Sequence, residues 1–410
     1  MRQFLALTLI ISLSQSAKAA GTFAFEEAEK AMLAANPQAA AAALDLETAN
    51  SRVTAARAGF YPNFSAGASY SRLGSQGLPA GDAYSYGFSG SLPLYAPSVP
   101  AALRSAKAGA WSARAARDRI TSTLRYQLKT AFAETINARE TIRLSGETQK
   151  RRAENLELIR LKYQAGRENK AALLETQAVL KTAQWQHEKY KKNLRLLERK
   201  LNRLLGRPAQ APVPDLAVPQ PPEPPEDFYT FAPRLESHNA VSAARARLAA
   251  ADASVDSAQS AILPDAAAAG SYKWGGSDWP TAPNSWSLGA SLNLPLFSGG
   301  RLSSDLASSR SALSSAQENM KDARDEVYLN AEDAFLSWRE ASAYMDVAKS
   351  SLDAAAARAW LVRKQYLAGQ TSYFEWRNVE EQLISEQNQS LAAASGLIIS
   401  HAAFIQALGE

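Results

Sequence analysis

Tyr366 to Trp376 reads YLAGQTSYFEW, and 203 residues earlier Tyr163 to Leu173 reads YQAGRENKAAL. Each sets Tyr-X-Ala-Gly inside a long polar stretch that otherwise favours helix. Glycine takes a left-handed φ without a Cβ clash, so it is the residue at which a helix stops and the chain reverses. The pair predicts two helical hairpin bends, over about 163–170 and about 366–373, with Gly166 and Gly369 as their turning points.

The flanking sequence repeats as well, which marks a duplicated architecture. FYPNFSAGASY (Phe60–Tyr70) answers to ILPDAAAAGSY (Ile262–Tyr272), and GSLPLY (Gly90–Tyr95) to SLNLPLF (Ser291–Phe297). Pro62 and Pro264 are 202 residues apart, as are Pro93 and Pro295, while Gly206 and Gly409 are 203 apart. Asn36-Pro37 opens a helical run in the first half and His238-Asn239 does so in the second. The repeats run over 21–207 and 228–410, joined by a proline-rich segment at 208–227 that proline's fixed φ and missing N–H make an extended strap.

Within each repeat the predicted order is a short helix, two strands, a very long helix, the bend and a return helix. In YSYGFSGSLPLY, Tyr84, Tyr86, Phe88, Gly90, Leu92 and Leu94 alternate with Ser85, Gly87, Ser89, Ser91 and Pro93. Trp286, Leu288, Ala290, Leu292, Leu294 and Leu296 alternate in the same way with Ser287, Gly289, Ser291 and Asn293. Weaker partners carry Phe64, Ala66, Ala68 and Tyr70, and Ala266, Ala268, Gly270, Tyr272 and Trp274. This gives strands at about 61–72, 84–95, 265–275 and 285–297, with long turn-rich loops at Gly74–Ala83 and Gly275–Asn284. Period-two alternation of an apolar face with a Ser/Gly/Asn face has the pattern and length of an outer-membrane barrel wall. It is also compatible with two soluble hairpins on a helical core. Four strands do not close a transmembrane barrel, which needs about eight.

The helices weigh on this choice. From Leu302 to Gln365 there is neither proline nor glycine, and Leu103 to Lys162 is nearly as clean. At about 1.5 Å per residue each helix reaches roughly 90–95 Å. The apolar positions are sparse and often small: Ile120, Leu124, Leu128, Ala131, Phe132 and Ile136 in the first, and Val327, Ala331, Ala334, Phe335, Trp338, Ala341 and Tyr344 in the second. Steps of three and four suit a narrow antiparallel coiled-coil seam. The remaining surface is charged and polar, as a hollow tube wetted on both sides requires.

The first twenty residues, MRQFLALTLIISLSQSAKAA, carry Arg2, an apolar run and Ala17-Lys18-Ala19, which is the form of a cleaved signal peptide. No later stretch holds the roughly 18 continuous apolar residues of a spanning helix. The chain of 410 residues is 46% hydrophobic and has no cysteine, which excludes a thiol nucleophile or a thiolate metal site. Its formal charge of +5 includes Arg2 and Lys18 of the leader. The densest basic run, Lys189 to Arg207, alternates with leucines on a helical pattern and is a solvated helix face rather than a nucleic-acid site. His187, His238 and His401 lie on separate segments without metal-ligand spacing, and no nucleophile elbow, phosphate loop or H-E-x-x-H pattern is present, so neither enzyme nor cofactor is predicted.

Leader, duplication, two strands plus a long helical hairpin per repeat, and Tyr-X-Ala-Gly at each bend together resemble the TolC family of outer-membrane efflux proteins over essentially the whole mature chain. The resemblance implies a mainly α fold with β: a homotrimer whose transmembrane strands pool into a twelve-stranded barrel, continued by a periplasmic α-helical barrel. It also implies a passive exit duct of a tripartite efflux or type I secretion system in the outer membrane of a Gram-negative bacterium. Its partners would be outer-membrane lipid, a periplasmic adaptor (membrane fusion) protein and an inner-membrane pump. Many members carry an acid six positions past the bend glycine. Here Glu375 holds that position after Gly369, whereas Ala172 holds it after Gly166 and Glu175 lies three further on. The gate or tip candidates are Glu375, Arg377, Tyr366, Gly369, Tyr163, Gly166, Arg167 and Glu175. Glu375 is alternatively a solvated helix acid, and the two tyrosines are alternatively packing residues of the bends. The rival from another class is a soluble periplasmic coiled-coil adaptor or structural protein without a pore.

Overall fold

The computed structural model describes residues 23–75, 78–217, 221–281 and 284–410; the leader at 1–20 lies outside them. Each half follows one order. The first has β1 (Phe23–Ala24), α1 (Phe25–Ala35), α2 (Pro37–Ala58), β2 (Asn63–Ser75), β3 (Leu78–Tyr95), α3 (Ser98–Gln164) and α4 (Lys170–Leu204). After β4 (Leu216–Ala217) come a 3₁₀ turn (Phe228–Phe231), α5 (Ala232–Leu235), α6 (Asn239–Ser260), β5 (Asp265–Gly276), β6 (Asn284–Asn293), α7 (Arg301–Leu367) and α8 (Tyr373–Ala407). The counterparts match in length: α2 and α6 have 22 residues, α3 and α7 have 67, and α4 and α8 have 35.

The chain divides into two compact units. One contains Leu33–Gln127, Pro222–Ser351 and Gly396–Glu410. Its antiparallel sheet runs β2-β3-β5-β6. Register places Ala66, Phe88, Tyr272 and Trp286 in one row and Phe64, Gly90, Gly270 and Leu288 in the next. The opposite face carries Ser65, Ser89, Ser271 and Ser287 in a row. Hydroxyl pairs tie it together across strands: Ser65–Ser89 at 2.8 Å, Ser69–Ser85 at 2.9 Å and Ser271–Ser287 at 2.9 Å. Gly87 has no room for a side chain, since a Cβ there would stand 2.3 Å from the Tyr272 carbonyl oxygen.

Two strand ends differ from the sequence expectation. The segment Gly74–Ala83 is not one long loop, for β3 already begins at Leu78 and pairs Gly81 with Leu73 and Asp82 with Arg72. Tyr70 donates to Asp82 at 3.0 Å, a cross-strand contact that counting turn-forming residues does not register. At the other hairpin β6 stops at Asn293, short of the expected 297, opposite Asp265, where its partner β5 begins.

Two helices of this unit, α2 and α6, are capped by the residue that precedes each. Asn36 Oδ1 accepts from the Gln38 N–H at 2.8 Å, and His238 Nδ1 accepts from the Ala240 N–H at 3.1 Å. Val327, Ala331, Phe335 and Trp338 of α7 pack with Phe404 and Leu408 and with Phe228, Leu235 and Val241. Tyr344, expected in the seam, is exposed within the chain, since it lies beyond the reach of this aromatic core.

The second unit holds the residues up to Met32, Leu128–Pro221 and Leu352–Ser395. Here the C-terminal part of α3 and α4 form one antiparallel hairpin, and the end of α7 with the start of α8 forms the other. At their base β1 pairs in parallel with β4, and the strap before β4 is clamped by Arg139, which donates to the Val213 carbonyl at 2.9 Å and the Pro214 carbonyl at 3.1 Å. Phe25 meets Phe132 edge-on at 5.7 Å. In the other unit Phe228 meets Phe335 at 5.6 Å; both partners are shifted by 203 residues. By length and composition α8 alone among the described helices could cross a membrane, with a mean hydropathy of 1.4. Ser395, Ser400 and His401 interrupt its apolar run, which is why a search for continuous apolar residues passes over it.

Candidate functional site

The candidate site is the pair of hairpin bends in the second unit. Both close as Schellman turns. Gly166 (φ +71°) bonds back to the Tyr163 carbonyl at 3.0 Å while Arg167 bonds to Lys162 at 2.8 Å; Gly369 (φ +77°) bonds to Tyr366 at 3.1 Å while Gln370 bonds to Gln365 at 2.8 Å. A Cβ at either glycine would meet nothing within 4 Å, so glycine is needed for its φ and not for space. The helices then restart, α4 behind Asn169, whose side chain caps Ala172 N–H at 2.8 Å.

The two equivalent tyrosines have different fates. Tyr366 is 2% exposed while Tyr163 is 38% exposed. Tyr366 stacks on Trp376 at 4.5 Å and 12°, and its hydroxyl donates to Glu168 Oε1 of the other bend at 3.0 Å. Lys162 Nζ stands 3.7 Å over the same ring and donates to the Tyr366 carbonyl at 3.4 Å. Burial, and then the Glu168 carboxylate, push the Tyr366 phenol well above its ordinary value of 10, so it stays a donor. One turn on, the Tyr373 hydroxyl and Thr176 Oγ1 are 2.8 Å apart. Arg377 forms an ion pair with Glu175 and stands 4.0 Å from Glu381. Glu375 faces outward, about half exposed, and accepts from Arg358 at 3.1 Å. Arg167 is exposed and has no side-chain ion pair among the described residues.

Tyr366, Arg377 and Glu175 therefore come together across the bends, while Glu375, Tyr163 and Arg167 point elsewhere within the chain. Glu168, Lys162, Tyr373, Thr176 and Trp376 complete the cluster without having been singled out from sequence. A second feature lies deeper, where Arg152 and Glu380 are both buried. Desolvation lowers the Arg152 guanidinium pKa, and the Glu380 and Glu381 carboxylates act in the opposite direction. No cluster able to hold a metal ion exists among the described residues. His238 is a cap, and His187 bonds Ser145 at 2.8 Å.

The profile of the outer membrane efflux protein family matches residues 30–207 and 234–410. The chain belongs to the outer membrane efflux protein family. Its two matched segments cover both repeats, and membership sets aside the soluble adaptor. No curated relative matches in sequence. Among solved structures, the fold is similar to VceC of Vibrio cholerae (18% identity, TM-score 0.79, 94% of this chain and 96% of that one). It is also similar to the Campylobacter jejuni CmeC outer membrane channel (16%, 0.83, 94% and 85%) and to the open state of the Neisseria gonorrhoeae MtrE outer membrane channel (20%, 0.79, 94% and 88%). The outer membrane efflux family is one of passive channels rather than enzymes, and the protein is accordingly an efflux channel of the outer membrane.

Proposed function

We propose that three copies of this chain pool their sheets into one twelve-stranded barrel through the outer membrane, with the helical hairpins continuing it as a periplasmic tunnel. The observation that supports this is the sheet itself. Four strands are too few to close, β2 and β6 each have one neighbour, and Phe64, Trp286, Leu288 and Leu292 stand exposed on one face against a serine face that suits a wet lumen. The trimer acts as the passive exit duct of a tripartite efflux or type I secretion system. Its helical tip engages a periplasmic adaptor and an inner-membrane pump that supplies the energy.

In this proposal the bends form the gate. Tyr366–Glu168 and Arg377–Glu175 hold one hairpin against the other, Gly166 and Gly369 fix the turns, and Tyr163, Arg167 and Glu375 are left for neighbouring subunits or the pore. A ring of Glu375 carboxylates, one per copy, would favour cations.

Detergent extraction followed by light scattering and planar-bilayer recording tests the assembly. A trimer giving discrete conductance steps is expected, and recovery of the mature chain as a soluble periplasmic monomer overturns it. Glu375→Ala is expected to weaken cation preference; unchanged conductance and selectivity remove Glu375 from the gate.

A further inference from the structure

The apolar face of the sheet changes character along its length. Toward the helices it carries Phe64, Leu92, Leu288 and Leu292. Further on comes Phe88 beside Trp274 at 6.5 Å, and then aromatic rings with polar tips: Tyr86 stacked on Trp274 at 5.2 Å, and Tyr70 against Tyr84 at 5.0 Å. One row past these, on the same face, the first charges appear as Arg72 and Asp82, 3.7 Å apart. Aliphatic, then amphipathic aromatic, then charged is the order in which side chains meet a bilayer from its hydrocarbon through its headgroups to water.

The segment between β5 and β6 joins this band. Trp279 packs on Tyr84 at 5.9 Å and on Tyr86 at 5.3 Å. Tyr86 reaches the Thr281 carbonyl at 3.4 Å, and Thr281 is buried with its own hydroxyl unpartnered. Tyr84 and Tyr86 belong to the apolar face, so Ser277–Thr281 is folded onto that face and not onto the serine face. Trp279 itself remains exposed.

We propose that the loop Ser277–Thr281 docks into the headgroup layer of the outer leaflet, with Trp279 as its anchor on the Tyr84–Tyr86 shelf, and so is a membrane-interface element rather than a lid over the channel mouth. The inference rests on the membrane reading of the sheet. A tryptophan at this level combines a large apolar body with one N–H donor for headgroup oxygens, and the neighbouring tyrosine hydroxyls offer the same chemistry.

The cysteine-free chain allows a direct test. Asp278→Cys in the loop and Leu288→Cys at mid-sheet are each labelled with an environment-sensitive fluorophore, and the full-length protein is reconstituted into phosphatidylcholine vesicles. Quenching is measured with lipids spin-labelled at the headgroup or deep in the acyl chain, and with a water-soluble nickel chelate. The expected result is headgroup-level quenching for position 278, deep quenching for position 288, and transfer of the 278 label to aqueous quenching when Trp279→Ser is added. Deep quenching at 288 with purely aqueous quenching at 278 overturns the loop assignment and leaves the membrane reading standing. Lipid quenching at neither position overturns both.

Discussion

The Tyr366 hydroxyl donates to the Glu168 carboxylate, 198 residues away in the chain, at 3.0 Å, joining the two hairpin bends. Tyr366 sits at the start of YLAG and Glu168 two residues past the glycine of YQAG, so the two copies of one motif bind each other through non-equivalent positions.

Tyr366→Phe keeps the Trp376 stack and removes only the donor, leaving Glu168 without its tyrosine. A loss of about 1 kcal/mol is expected, with a higher resting conductance in planar bilayers, and Glu168→Gln should act in the same direction. The folded-state pKa of Tyr366 lies above its ordinary value of 10, so this contribution is complete below that value and is lost only as pH rises through the folded one. The difference between wild type and Tyr366→Phe should therefore be constant from about pH 5 to 9. A difference that varies across this window would show that another group carries it.

Arg377 and Glu175 pair across the hairpins while both are largely covered. Arg377→Glu places two carboxylates together and should open the tip more than Arg377→Gln. Combining it with Glu175→Arg should recover most of the loss, because the two charges are exchanged in place. Antibiotic susceptibility of cells bearing each variant, with matched expression, reports the order. Failure of the double variant to recover places the effect of Arg377 on Glu381 or on packing.

Glycines of two kinds should separate in a melting experiment. Gly166→Ala and Gly369→Ala meet no atoms but adopt a left-handed φ, for a cost of about 1 kcal/mol each. Gly87→Ala drives a Cβ into the Tyr272 carbonyl and the Lys273 backbone, and should break the β3–β5 ladder and block assembly. An unchanged melting temperature for Gly87→Ala would mean that the two strands part at that row.

His238 caps α6 by accepting at Nδ1, which requires a neutral ring, and burial lowers its pKa from 6.5. A depressed folded-state value means that the unfolded chain takes the proton first. The cap's contribution is therefore full above about 6.5 and is lost as pH falls through the lower folded value. His238→Asn keeps an acceptor without the titration, so its melting temperature should fall less than that of wild type between about pH 7 and 5. Parallel pH profiles would place the titration elsewhere.

Much of this architecture was legible in local chemistry. Alternation at period two marked the sheet faces, and a proline-free run marked each long helix. Glycines in YQAG and YLAG marked the turns, since positive φ is a property of one residue. What escaped was cross-chain pairing. Glu168 is an ordinary acid in a polar stretch until α7 is packed beside α3, and the Gly74–Ala83 segment reads as loop until Asp82 finds Tyr70 and Arg72.

The sequence by itself determined the duplication, the elements and their order, because spacing, φ preference and alternation act over a few residues and recur 203 residues later. Only the tertiary structure decided which copy of each motif does what. It buried Tyr366 and left Tyr163 at the surface, gave Arg377 to Glu175, turned Glu375 outward to Arg358, and laid Trp279 on the apolar face. Two copies of one motif become different sites once they pack against each other, because the register between packed helices and strands is set by the whole interface and not by either segment alone.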